Sequence, residues 1–76
     1  MTGLHNLKSD RVIRTFIRVG WKIERQTGSH VILSKEGHPG ILSIPVHKGN
    51  PIKQGLIRKQ IELAGMTVDN FLSLYK

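Results

Sequence analysis

At Gly20 the apolar residues of this chain change period, and beyond Pro51 they change back. Before Gly20 they recur as Val12, Ile13, Phe16 and Ile17, the i, i+1, i+4, i+5 spacing of one helical face. Arg11, Arg14 and Arg18 fall on the opposite face. Residues 9–19 are therefore expected to form an amphipathic helix carrying an arginine stripe. Ser9 is its expected N-cap, Asp10 suits the positive end of the helix dipole, and Gly20 supplies the stop. Between Gly20 and Pro51 the pattern is that of short strands. Residues 21–25 alternate apolar and polar, as a half-buried strand does, and residues 30–33 and 41–46 are rich in branched side chains. Thr27-Gly28-Ser29 and residues 35–40 are turn material. Such short connections make the three strands antiparallel neighbours, and Pro45, which cannot donate to a ladder, puts the third at an edge or near its own end.

A second helix is expected over residues 52–64, with Leu56, Ile57, Ile61 and Ala64 as its apolar face and Gly65 as its stop. Thr67 reads as the N-cap of a short extra helix carrying Val68, Phe71, Leu72 and Tyr75. The order is helix, three antiparallel strands, helix, short helix. This α+β arrangement implies helices packed on one face of a small sheet, with the other face free. Double-stranded-RNA-binding domains share the α-β-β-β-α order and read A-form RNA by its shape and phosphates.

With 76 residues the chain has room for a single domain, residues 1–76, of modest core. It contains no cysteine, so neither disulfides nor thiolate zinc sites contribute, which fits a reducing cytosol. No apolar run approaches the roughly 20 residues needed to cross a bilayer, and no secretion signal is evident. A cytoplasmic protein with no membrane role is the expectation. Twelve Lys and Arg against five Asp and Glu give a net charge of +7, a field that attracts polyanions.

Four histidines, His5, His30, His38 and His47, are the natural proton-transfer groups near neutral pH. His30 differs from the others in context: it follows a Gly28-Ser29 turn and opens a strand, so the backbone holds it while the turn leaves space for a ribose or phosphate. Context alone leaves open the plainer reading of a surface histidine at a strand start. No two histidines have the close helical spacing of a zinc motif, and there is no P-loop, dinucleotide fingerprint or nucleophile elbow. No metal or cofactor is expected. Lys48 and Lys53 flank a glycine-containing loop at the start of the second helix, where free N–H groups favour a phosphate. Trp21, between a helix and a strand, is expected in the core rather than stacked on a base.

Five blocks in order, Gly20-Trp21, Gly28-Ser29-His30, Ile44-Pro45-Val46-His47, Lys53-Gln54-Gly55-Leu56-Ile57-Arg58 and Ile61-Glu62-Leu63-Ala64-Gly65, closely resemble the HicA toxins of toxin–antitoxin systems. The likeness covers residues 12–71. It implies a double-stranded-RNA-binding-like fold and ribosome-independent cleavage of mRNA. It also implies a HicB-type antitoxin that covers the active surface, with DNA met only through that antitoxin. The family's catalytic histidine maps onto His30. Gly28, Ser29, Arg11, Arg14, Arg18, Lys48, Lys53 and His47 are then the expected RNA- or phosphate-binding residues, with His47 also a candidate proton donor. The position three after that histidine is often aromatic in the family and is Leu33 here, a change expected to affect packing beneath the strand rather than chemistry. Two other readings stand beside the enzyme: a non-catalytic RNA-binding module and an antitoxin-docking subunit.

Overall fold

The computed structural model describes residues 4, 6–46 and 51–75. Along the chain lie α1 (Ser9–Arg18), β1 (Lys22–Thr27), β2 (His30–Ser34), β3 (Ile41–Pro45), α2 (Gln54–Leu63) and α3 (Val68–Leu74). The strands form one antiparallel sheet in the order β1-β2-β3, so both β1 and β3 are edges and Pro45 ends the latter. The α-β-β-β-α order with a short C-terminal helix is the one the sequence pattern implies.

Ser9 is the first helical residue rather than the cap: Lys8 holds the extended cap position, and no side chain caps the end. The other end of α1 closes as the glycine demands. Gly20 has φ +104°, its N–H donates to the Ile17 carbonyl, and the Trp21 N–H donates to the Phe16 carbonyl. This pair of bonds occupies carbonyls of the last helical turn, the Phe16 carbonyl also accepting from the Val19 N–H, and turns the chain directly into β1. Gly65 and Met66 close α2 by the same pair of bonds, to Glu62 and Ile61. Thr67 does cap α3, its hydroxyl accepting from the Asn70 N–H at 3.1 Å.

The core lies on one face of the sheet. Val31 and Leu33 of β2 and Leu42 and Ile44 of β3 point into it and meet Val12 and Phe16 of α1, Ile57 and Ile61 of α2, and Phe71 of α3. The Phe16 and Phe71 rings stand 5.1 Å apart, tilted by 48°, within the favourable range for an aromatic pair. Trp21 is buried in the same cluster, as expected of it. Leu4 and Leu7, ahead of the first helix, add to the core, and the Leu7 carbonyl accepts from the Ile52 N–H at 3.1 Å. Leu33 is fully buried here, so the departure at that position acts on packing beneath β2.

Three apolar faces differ from the sequence pattern. All six residues of β1 are exposed, with Ile23 53% exposed, because β1 is an edge strand and an open groove separates it from α1. In α1 the buried line is Val12, Thr15 and Phe16, while Ile17 is 43% exposed; the Thr15 hydroxyl is satisfied by the Arg11 carbonyl at 2.7 Å. In α2 Gln60 is buried and Leu56 is 37% exposed. Gln60 goes inward because its Oε1 accepts from the Ser43 N–H at 3.0 Å, covering part of the β3 edge.

The short α3 is thus part of the core rather than an appendage. Replacing Phe71 with Ala should cost about 3–5 kcal/mol, the usual range for a buried aromatic truncated to Ala. In so small a domain that is most of the available stability. Urea unfolding followed by circular dichroism checks this, and an unchanged midpoint would remove α3 from the core.

Candidate functional site

The Gly28-Ser29 turn closes the β1–β2 hairpin with Thr27 opposite His30, a loop of only two residues. Gly28 has φ +54° and Ser29 a negative φ, the pattern of a type II′ turn, whose twist matches that of the strands it joins. A methyl group at Gly28 would meet no atom within 4 Å, so the backbone conformation, not crowding, calls for glycine, and the space beside the turn is open. The Ser29 carbonyl accepts from the Val46 N–H, which extends the β2–β3 ladder one step beyond the His30–Pro45 pair. His30 is therefore held from both sides, by β1 through Thr27 and by β3 through Pro45.

Strand alternation sets where its ring points. Val31 and Leu33 face the helices, so His30, Ile32 and Ser34 lie on the open face of the sheet. His30 is exposed, and among the described residues its imidazole has no hydrogen-bond partner. Register places Thr27, Pro45, Arg25 and Ser43 on the same face around it. Arg25 carries no sequence motif that would have singled it out. The alternation read from Trp21 puts it on the same side as Trp21 and Ile23.

That alternation is broken by a bulge. From the turn outward Gln26 pairs with Val31 and Arg25 with Ile32, but Ile23 rather than Glu24 then pairs with Leu33. The extra residue turns Ile23 to the helix side while Arg25 stays with His30. Two contacts agree with this. The Ser34 hydroxyl donates to the Glu24 carboxylate at 2.6 Å on the open face, whereas Ile23 and Gln26 line a groove of about 380 Å³ with Ile13 and Ile17 of α1.

The arginine stripe lies on the other layer. Arg14 pairs with Asp10 at 3.6 Å on the exposed side of α1, and the Arg18 guanidinium donates to the Leu74 carbonyl at 2.7 Å, closing the end of α3. Arg11 is exposed on the same helix. The fold thus does not bring the stripe to His30. Arg14 comes nearest in position, lining the α1–β1 groove with Gln26, Val31 and Val46 at the hairpin-turn end of the sheet. Lys53 is exposed at the N-cap position of α2, where no side chain caps the helix. His47 and Lys48 lie outside the described residues.

His38 serves structure instead. Its Nδ1 accepts from the Gly40 N–H at 3.1 Å, and its ring packs 4.8 Å from Trp21. Among the described residues no three His, Asp or Glu side chains gather in a way that would hold a metal ion, and no helix is long and apolar enough to cross a membrane.

A family model described as the HicA toxin of bacterial toxin–antitoxin systems matches residues 9–66. The chain belongs to the HicA toxin family. The match begins with α1, takes in the whole sheet and α2, and ends at the Gly65-Met66 closure of that helix. No curated protein matches the chain. Membership of the HicA family implies a cognate antitoxin as partner within a toxin–antitoxin system.

The turn geometry yields a prediction. Gly28→Ala should lower stability by about 1 kcal/mol, the cost of a left-handed backbone for a residue with a Cβ. Gly28→Asn should cost less, because Asn tolerates that conformation. Urea midpoints of the two variants check the order, and equal midpoints would remove the conformational argument.

Proposed function

We propose that this HicA-family chain is the toxin itself acting as an endoribonuclease: it cleaves mRNA without the ribosome and without a protein-bound metal, with His30 as the general acid/base. The observation that carries the reading is the placement of His30. It is exposed, on an open sheet face, yet fixed by ladders on both sides beside a turn with empty space around it. A proton-transfer group needs that combination of access and fixed position.

RNA supplies its own nucleophile. In the proposed step the ribose 2′-oxygen forms a bond to phosphorus, the P–O5′ bond breaks, and His30 takes the 2′ proton. The leaving 5′-oxygen takes a proton from water or from an acid, for which His47 is the candidate in the sequence. A 2′,3′-cyclic phosphate is the product. The N–H groups of the Gly28-Ser29 turn are suited to the negative charge that develops on the phosphate. Arg11, Arg14, Lys48 and Lys53 would hold flanking phosphates of the substrate. A HicB-type antitoxin that covers this surface would silence the activity in the cytoplasm.

The test is RNA incubated with purified protein in EDTA. His30→Ala should lose about 10²–10⁴-fold in cleavage rate while still binding RNA. Growth arrest on expression should be relieved by the same substitution. Binding without any cleavage by the wild-type protein would leave an RNA-binding module in place of the enzyme. Arg11, Arg14 and Arg18 replaced together by Gln should weaken RNA binding at every sequence and flatten its salt dependence. An unchanged salt slope would mean that RNA does not run along α1.

A further inference from the structure

We propose that Arg25 is the phosphate-binding partner of His30, holding the non-bridging oxygens of the RNA phosphodiester whose 2′-hydroxyl His30 deprotonates. The inference rests on the ribonuclease reading and adds a residue to it. Arg25 opposes Ile32, and His30 is two residues from Ile32 on the same strand, so the two are diagonal neighbours across the hairpin. Diagonal neighbours stand about 7–8 Å apart, within reach of long side chains. A non-bridging phosphate oxygen and the 2′-oxygen of the same nucleotide, carried on P and C2′ with only C3′ and O3′ between them, can therefore meet the guanidinium and the imidazole together.

Charge favours the same assignment. Arg25 is exposed and forms no ion pair among the described residues. The nearest carboxylate in sequence, Glu24, is engaged by the Ser34 hydroxyl at 2.6 Å. Ser34 lies at the far end of β2 from His30, so the anion is drawn away from the histidine and the cation is left beside it. The bulge at Glu24 makes this separation possible. It lets Ile23 face the α1 groove while Arg25, two residues on, faces the opposite side of the sheet. Bulges commonly re-aim a side chain beside a site in this way. The planar guanidinium suits a phosphate because it can donate two parallel hydrogen bonds, which an ammonium cannot.

The experiment compares Arg25→Gln, Arg25→Lys, His30→Ala and Arg58→Gln, the last removing an exposed cation from α2. Two readouts are taken. One is cleavage of an RNA oligonucleotide with oxygen or a single sulfur at a non-bridging position of the scissile phosphate. The other is binding of the same oligonucleotide with a 2′-deoxy scissile nucleotide across a salt series. Arg25→Gln should lose about 10²–10³-fold in kcat/KM, as removal of one donor to a developing oxyanion does. Arg25→Lys should recover part of that loss, and Arg58→Gln should stay within about 3-fold of wild type, as expected of a surface change remote from the chemistry. Sulfur should slow the wild type more than it slows Arg25→Gln. The salt slope for the uncleavable strand should fall by about 0.7 in Arg25→Gln, one phosphate contact. Unfolding midpoints of all four should match wild type. If Arg25→Gln behaves as Arg58→Gln does while His30→Ala is dead, the assignment of Arg25 is wrong and the ribonuclease reading stands. If His30→Ala cleaves like wild type, the reading fails and this inference with it.

Discussion

A three-stranded sheet in so short a chain can be covered on one side only, and the remainder of this molecule follows from that limit. Val31, Leu33, Leu42 and Ile44 turn toward the helices and meet the Phe16–Phe71 pair, Ile57 and Ile61. The hydrophobic driving force is spent on this one layer. Every element is shaped by it: Trp21 enters the cluster straight from the α1 stop, and the short α3 is kept because Phe71 completes the packing.

The uncovered side is where function can reside. Ile32 and Pro45 are buried there, but the residues around them need not pack and can be polar, charged and reactive, while the strands beneath them are anchored by the core on the other side. His30 benefits directly. Its backbone is pinned by Thr27 and Pro45 across two ladders and by the Ser29–Val46 bond, yet its ring faces solvent. An edge strand normally risks pairing with other chains. Here the Glu24 bulge interrupts β1, and Gln60 covers part of β3 through Ser43.

The arginines of α1 illustrate why charge alone is an incomplete guide. Three cations on one helical face suggest a single RNA-binding stripe, but their surroundings differ. Arg18 holds the Leu74 carbonyl and so contributes to the docking of α3, while Arg14 shares its charge with Asp10. All three belong to the layer opposite the open face. Cations on β1 share the face of His30, although no motif in the sequence distinguishes them.

Element order, the antiparallel sheet, the burial of Trp21, the cap at Thr67 and the turn ahead of His30 were legible in the sequence. Each depends on local chemistry: side-chain period, glycine conformation, hydroxyl capping and a two-residue turn. The resemblance carried by the five sequence blocks was equally local, and the family match bears it out. Which faces are covered was not legible, because burial depends on where the other elements land. Ile23 and Leu56 read as core and are exposed, whereas Gln60 reads as surface and is buried by a hydrogen bond to a strand 17 residues away. The surroundings of His30 were hidden for the same reason. One bulge residue shifts the alternation of β1, and only the pairing of β1 with β2 reveals that Arg25, and not Ile23, shares the histidine's face.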